Sequence, residues 1–288
     1  SLRKGKLVQY RRLTDEAERI LREPGNHTDE EEALPEIYPE NCSKAAGDDP
    51  LEVSQEKNPE INTSIWYVYR VIAAEQPWFN NSAYADTLNP EAIQKFAEVS
   101  YEPYFSLFEG HFPEDVPGIF TDEPQMVRWQ RLGAGGQPEE ASVPFTESLR
   151  DKFLADYGCT AEDILPEVFW DWEDGRPARR RWQYFKMLTE QFDQAYGGTL
   201  GDWCERNGLL FTGHLMDEES LAGQSRTSGD AMYCYRHYQL PGIDILADRY
   251  EYSTVKQAQS VSRQCKKAGV LCELYGVTNW DFTFGGKK

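Results

Sequence analysis

The sequence is short of basic residues. Of its 288 residues, 30 are Lys or Arg and 49 are Asp or Glu, so the formal net charge is −19. It also lacks an apolar run long enough to span a membrane and a signal-peptide pattern. Nucleic acids and anionic membranes are bound through basic surfaces, so we expect neither as a partner. An uncharged ligand such as a sugar is not excluded by this charge.

Several catalytic signatures are also missing. No Gly-x-Gly-x-x-Gly motif follows a predicted strand, which disfavours a dinucleotide-binding sheet. The sequence has no Gly-x-Ser-x-Gly elbow, which disfavours serine hydrolase chemistry. The six cysteines form no Cys-x-x-Cys pair and have no metal-ligand spacing. This pattern is typical of free thiols and favours a reducing compartment such as the cytoplasm.

The length and composition indicate a globular α/β protein. Charged residues make up 27% of the chain and aromatic residues 13%, and the length suits one α/β barrel. Residues 1–60, which include acidic and Pro-rich stretches, are predicted to be peripheral, and 61–288 to form the catalytic barrel. The chain starts at Ser1 and ends at Lys288, soon after a predicted strand. We therefore interpret it as part of a longer multidomain protein, whose true N-terminus and targeting would then be out of view.

Apolar segments alternate with helical patterns after residue 60. A helical pattern twice ends at a glycine that leads directly into a strand, at Gly208 and at Gly269. This order is typical of parallel strands with right-handed crossovers. We therefore predict an α/β fold of the (β/α)8 TIM-barrel type, a truncated fragment with a helical insertion after strand four at about 125–175. The predicted strands are 65–72, 82–88, 118–122, 209–214, 243–247 and 270–275. The predicted helices are 90–108, 147–157, 161–170, 178–207 with a break near Gly197 and Gly198, and 257–268.

Carboxylates follow two of these strands. Gly118–Pro124 reads as a short buried strand that ends in Asp122 and Glu123, and Glu273 follows the apolar run at Val270. The C-terminal ends of barrel strands carry the chemistry, and a carboxylate pair suits glycoside hydrolysis. We therefore predict that Glu123 and Glu273 are catalytic, the alternative being buried structural carboxylates. Because side chains alternate along a strand, Asp122 is expected to support the site rather than face the barrel centre with Glu123.

Other polar and aromatic residues near strand ends are candidate substrate contacts. His214 could orient a sugar hydroxyl or be a structural histidine. Glu218 and Glu219 follow it, either as a solvated acidic loop or as ligands of substrate or metal. Tyr275 and Trp280 could pack against the apolar face of a sugar ring, although aromatic residues also fill cores. The predicted substrate-binding set is therefore Asp122, His214, Glu218, Glu219, Tyr275 and Trp280.

Five sequence blocks together resemble a known family. They match large bacterial glycoside hydrolases of the α-L-rhamnosidase-like type, family 106 and its uncharacterised relatives, from about Trp66 to Phe284. The blocks are Asp86–Ala92 (DTLNPEA), Gly118–Pro124 (GIFTDEP), Thr212–Leu215 (TGHL), Pro241–Asp244 (PGID) and Glu273–Gly276 (ELYG).

The resemblance implies a (β/α)8 catalytic barrel within a longer chain and an inverting mechanism with two glutamates, here Glu123 as acid and Glu273 as base. A calcium ion near the sugar is a further implication, with no ligands assigned to it in this sequence. The order of the strands is equally compatible with a retaining glycosidase of the β-galactosidase-like clan. A third alternative is a carbohydrate-binding barrel without catalytic activity.

Overall fold

The computed structural model describes residues 9–12, 65–68, 73, 75–126, 142–169, 175–246 and 251–276. The chain divides into two units. The first comprises Ser1–Tyr84, Arg131–Glu140 and Phe153–Trp182, and the second comprises Ala85–Gln130, Ala141–Lys152 and Gln183–Lys288. Within the first unit, strands β1 (Gln9–Arg12) and β2 (Ile65–Val68) pair in parallel.

The second unit contains a four-stranded parallel sheet. Its strands are β3 (Gly118–Asp122), β4 (Leu210–His214), β5 (Leu240–Ile245) and β6 (Leu271–Leu274), in the order β3-β4-β5-β6. Every neighbouring pair is parallel, which confirms the predicted parallel α/β arrangement. The described residues of this unit form four strands and not a closed (β/α)8 barrel. All four C-terminal strand ends lie along one edge of the sheet.

The register sets which residues meet at that edge. Asp122 lies opposite His214 between β3 and β4. Asp244 lies opposite Glu273 between β5 and β6. The ladder between β4 and β5 pairs only Thr212 with Leu240 and Gly213 with Pro241.

Eight α-helices lie within the described residues. Their positions agree with most of the predicted helices. Short 3-10 turns also occur at Pro77–Phe79, Glu162–Ile164 and Tyr235–His237. The helices are α1 (Pro90–Leu107), α2 (Glu147–Tyr157), α3 (Leu165–Phe169), α4 (Arg179–Phe192), α5 (Thr199–Arg206), α6 (Leu221–Thr227), α7 (Ala231–Cys234) and α8 (Ser253–Gln264).

Helix α8 lies four residues earlier than the predicted 257–268. It stops because Lys266 takes a left-handed conformation with φ 54°. The N–H of Lys267 then donates to the carbonyl of Ser262 at 2.7 Å, a bond typical of a helix C-terminus. Gly269 therefore belongs to the connection to β6 rather than to the helix end.

The predicted strand 82–88 is wrong. Ser82 forms an isolated antiparallel bridge with Gln76, and the chain then turns into α1. The side chain of Asp86 accepts the N–H of Leu88 at 3.0 Å. Asn89 caps α1 by accepting the N–H of Glu91 at 3.0 Å, and Pro90 occupies the first helical position. These capping bonds favour a helix start over a strand.

The predicted break in helix 178–207 is also wrong. Between α4 and α5 the chain stays helical through a π segment, Asp193–Gly198. Asp193 at its start is 2% exposed, and its carboxylate accepts hydrogen bonds from Arg236 at 3.0 Å and His237 at 3.2 Å. These bonds tie the π segment to the 3-10 turn that precedes β5.

The core of the second unit lies between the sheet and its helices. Its fully buried side chains include Phe211 of β4, whose ring centroid lies 4.4 Å from that of Tyr238. Thr121 of β3 is bonded to the hydroxyl of Tyr196 in the π segment at 2.7 Å. None of the helices in the described part of the chain is long and apolar enough to cross a membrane.

Candidate active site

The first half of the candidate site lies at the end of β3. Glu123 follows the last residue of the strand and has φ 46°, a left-handed conformation that residues other than glycine seldom adopt. Its N–H donates to the carbonyl of His214 at 3.1 Å. The strand geometry ends at this residue, so the alternation expected for Asp122 and Glu123 no longer applies. Both carboxylates therefore lie near His214, whereas strand alternation predicts that they face opposite sides.

His214 is the centre of the site. It is 1% exposed, and its Nε2 lies 3.0 Å from Oε2 of Glu273 and 3.5 Å from Oδ1 of Asp122. Its Nδ1 is buried and has no hydrogen-bond partner. The ring of Phe120 packs edge-on against it, with centroids 5.6 Å apart. The imidazole thus lies under a group of carboxylates that are themselves more exposed.

Two glycines allow the strand ends to approach closely. Gly213 has φ +129°, and a Cβ there would overlap the carbonyl oxygen of Thr121. A Cβ on Gly242 would overlap the carbonyl oxygen of Gly213 in the same way. A side chain at either position would push neighbouring strands apart. The close backbones bring the side chains that follow them into one cluster.

The cluster has four carboxylates around one histidine. One ligand atom from each of Asp122, His214 and Glu273 lies within 4.8 Å of the others, and the same holds for Glu123, His214 and Asp244. The structure thus brings together four of the sequence-predicted residues, Asp122, Glu123, His214 and Glu273. It adds Asp244, which the sequence analysis did not select as a site residue. Asp244 is a carboxylate inside the otherwise apolar predicted strand 243–247, and this position is the sequence signal that could have identified it.

Burial and mutual repulsion raise the pKa of two of these carboxyl groups. For Glu123 the largest cause is burial, followed by the negative charge of Asp122, while His214 acts in the opposite direction. For Asp244 the largest cause is again burial, opposed by His214 and reinforced by Glu273. A carboxyl group with a raised pKa holds its proton to higher pH. Glu123 therefore has the character of an acid.

Glu218 lies beneath this cluster. It is 4% exposed, so the solvated-loop interpretation is wrong for this residue. Its Oε2 accepts the hydroxyl of Tyr235 at 2.5 Å, and its Oε1 accepts the N–H of Asp244 at 2.8 Å. Burial raises its pKa to about 7, although the two hydrogen bonds and His214 act against this rise. Its neighbour Glu219 is exposed, and its carbonyl accepts a hydrogen bond from Ser253 at 3.4 Å.

The remaining candidates lie at the end of β6 or outside the described residues. Tyr275 follows the strand with φ 74° and is 47% exposed. It stands two residues after Glu273, whose side chain is 43% exposed. Trp280 lies outside the described residues, as do 127–141 of the predicted insertion.

The carboxylates are the residues that could hold a metal ion. Ca²⁺ binds six to eight oxygen ligands, and Asp122, Glu123, Asp244 and Glu273 offer only oxygens. The buried Oδ1 of Asp244 has no hydrogen-bond partner among the described residues, which leaves it available as a ligand. His214 is a poor calcium ligand, and its Nε2 is already engaged by Glu273. The carboxylates therefore fit the calcium ion that the family resemblance implies, and the histidine does not contribute to that fit.

Comparison with known proteins connects the fold to one enzyme structure. No protein-family model matches the chain, and no curated protein matches it. A rhamnosidase structure from Novosphingobium sp. PP1Y aligns with 70% of this chain at a TM-score of 0.52 and 18% identity. At this identity the similarity concerns the fold, and this chain spans 19% of the length of that rhamnosidase. The α/β architecture with a parallel sheet is thus consistent with a rhamnosidase-like fold.

Proposed function

We propose that this protein is a glycoside hydrolase whose catalytic carboxyl groups are Glu123 and Glu273. The observation that carries the proposal is their unequal surroundings at one edge of the sheet. Glu123 is partly buried, and its pKa is raised by that burial. Glu273 is hydrogen-bonded to His214, which donates to the carboxylate in its Nε2-protonated form. Glycoside hydrolysis needs one protonated and one ionised carboxyl group, so this asymmetry supports the proposal.

In the proposed mechanism Glu123 donates its proton to the oxygen of the leaving group. Glu273 takes a proton from a water molecule that attacks the anomeric carbon, and the anomeric configuration inverts. An inverting enzyme requires carboxyl groups about 6.5–9.5 Å apart, whereas a retaining enzyme needs about 5–5.5 Å. We expect the wider separation for Glu123 and Glu273. The rhamnosidase neighbour favours an α-L-rhamnoside as substrate.

The other residues at this edge are proposed to bind the sugar. Asp122 and His214 offer polar atoms next to Glu273, and the exposed Tyr275 offers an aromatic face. Glu219 and Trp280 remain proposed contacts. Both carboxylate oxygens of Glu218 already accept hydrogen bonds from protein groups. We therefore propose that Glu218 supports the site from beneath and does not bind the sugar. A calcium ion held by Asp122 and Asp244 would supply positive charge that orients sugar hydroxyls.

The test is turnover of aryl glycosides by wild-type protein and by Glu123→Gln and Glu273→Gln. An aryl α-L-rhamnoside is the first substrate to try. Each substitution should lower kcat by about 10²–10⁴-fold, the usual contribution of a positioned acid or base. Glu98→Gln is the control because Glu98 is an exposed carboxylate on α1, paired with Lys95. Near-normal turnover by either catalytic-site variant would contradict the assignment.

Proton NMR of the first-formed sugar decides the mechanism. Release of the inverted anomer supports water attack assisted by Glu273. Release of the retained anomer would instead identify a retaining glycosidase, with one carboxylate as nucleophile. Specific sugar binding without turnover in the wild type would identify a carbohydrate-binding protein.

A further inference from the structure

The backbone ladder between strands β4 and β5 is short and stops before the candidate site. Their ladder ends at Gly213 and Pro241, and proline has no N–H to continue it. Strand β5 nevertheless runs on to Ile245. The backbone N–H groups beyond the ladder, at Leu215 and Asp244, need other acceptors because buried N–H groups are rarely left unpaired.

Two buried side chains supply these acceptors. The hydroxyl oxygen of Tyr235 accepts the N–H of Leu215 at 3.2 Å, and the same hydroxyl donates to Glu218. The other carboxylate oxygen of Glu218 accepts the N–H of Asp244 at 2.8 Å. A continuous chain of hydrogen bonds thus runs from the residue after His214 to Asp244. It connects the two strand ends where their own ladder has stopped.

We propose that this Tyr235–Glu218 bridge is a positioning device for the active site. The inference rests on the proposed function. By holding the backbone at Leu215 and at Asp244, the bridge fixes how far His214 stands from the Asp244 carboxylate. Neither Tyr235 nor Glu218 contacts the substrate. They are positioning residues, and their effect reaches the reaction through His214 and the carboxylates around it.

The surroundings of the bridge keep it rigid. Tyr235 is 1% exposed and packs edge-on against Tyr238, with ring centroids 5.2 Å apart. The side chain of Gln224 donates to the carbonyl of Glu218 at 2.7 Å and so fixes the loop. On the other side, the bonds of Asp193 hold the 3-10 turn that carries Tyr235. Because both ends of the bridge are held in place, it can keep the ends of β4 and β5 at a constant separation.

The experiment compares Tyr235→Phe and Glu218→Leu with Tyr238→Phe as the matched control. Tyr238 is also buried and directly follows the same turn, and within the described part of the chain its hydroxyl has no hydrogen-bond partner. Its phenylalanine variant therefore removes a buried hydroxyl without touching the bridge. Glu218→Gln is the conservative variant, because its amide oxygen can still accept the N–H of Asp244. Amide hydrogen exchange at Leu215 and Asp244 is measured together with kcat and KM.

Each substitution removes one hydrogen bond, worth about 1–1.5 kcal/mol, and amide exchange at the released N–H should become about tenfold faster. The released N–H is that of Leu215 in Tyr235→Phe and that of Asp244 in Glu218→Leu. We expect kcat of both variants to fall at least about tenfold with KM within about twofold, because misplaced groups lose transition-state stabilisation rather than binding. Glu218→Gln should retain more of kcat than Glu218→Leu, and Tyr238→Phe should match the wild type in both measurements.

The outcomes separate the two claims. Unchanged exchange in Tyr235→Phe and Glu218→Leu would overturn the bridge. Faster exchange with kcat equal to that of Tyr238→Phe would overturn its positioning role. If the wild type cleaves no glycoside, the proposed function has failed and the positioning role fails with it, while exchange alone still reports whether the bridge exists.

Discussion

The buried Glu218 should make the stability of this protein fall as the pH rises. Its pKa is about 7 in the folded protein, against 4.5 for an unperturbed glutamate. Between these values the folded chain binds a proton that the unfolded chain has released. Stability decreases with pH wherever the folded state binds more protons. The stabilising contribution of the protonated form is therefore complete below about pH 4.5 and is lost as the pH rises through about 7.

The magnitude follows from the size of the pKa change. One pKa unit corresponds to about 1.36 kcal/mol, so the change of Glu218 amounts to roughly 3 kcal/mol in the free energy of unfolding. Glu218→Gln cannot lose a proton and removes this dependence. Its amide cannot satisfy every bridge hydrogen bond, which adds a cost that does not vary with pH. The variant should therefore gain roughly 3 kcal/mol relative to wild type between about pH 4.5 and 8.

The assay is thermal unfolding of both proteins across this pH range. At about 2 °C per kcal/mol for a chain of this size, the difference in Tm should change by roughly 6 °C in favour of Glu218→Gln. Glu219→Gln controls for the loss of one negative charge, because it changes the exposed carboxylate next in sequence. A Tm difference between Glu218→Gln and wild type that stays constant with pH would refute the burial argument.

Two further predictions concern the backbone. Gly213→Ala should cost about 3 kcal/mol or more, because its Cβ would overlap the carbonyl of Thr121. Gly208→Ala should cost only about 1–2 kcal/mol, since it also has a positive φ but lies in open space. The denaturant midpoints of both variants measure these losses of stability. Equal losses would contradict the argument that the neighbouring strand leaves no room for a Cβ at Gly213. Asn89→Ala should cost about 1 kcal/mol by removing the cap of α1, and an unchanged midpoint would show that the cap is dispensable.

Local sequence signals predicted much of this fold because they act over a few residues. Pro90 after Asn89 is a complete helix start, and α1 begins there. Short apolar runs flanked by Gly118 and Pro124 likewise locate β3. The strand prediction for 82–88 was wrong because its apolar and aromatic residues are typical of a strand, whereas its hydrogen bonds belong to the start of the helix. A capping bond through the side chain of Asp86 cannot be read from strand propensity.

The site was only partly predictable because its contacts run between distant segments. The sequence placed Glu123, His214 and Glu273 after strands, and position at a strand end can be read locally. The left-handed conformation that directs Glu123 towards His214 depends on the neighbouring strand, since the N–H of Glu123 bonds to the carbonyl of His214. Burial of Glu218 depends on Tyr235, 17 residues away. No local pattern distinguishes such a residue from its exposed neighbour.

The π segment Asp193–Gly198 has a consequence for how this chain tolerates changes in length. A π turn contains one residue more than the α-helical turn it replaces. Loss of one residue from the segment would let it close into an α-helix. Because a π helix turns less per residue than an α-helix, the residues after it would keep nearly the same phase about the helix axis. The buried Leu200 and Trp203 of α5 would still face the core, whereas loss of one residue from α4 would rotate them by about 100°. The π segment is therefore the place where this helix can lose a residue without changing which side chains face the core.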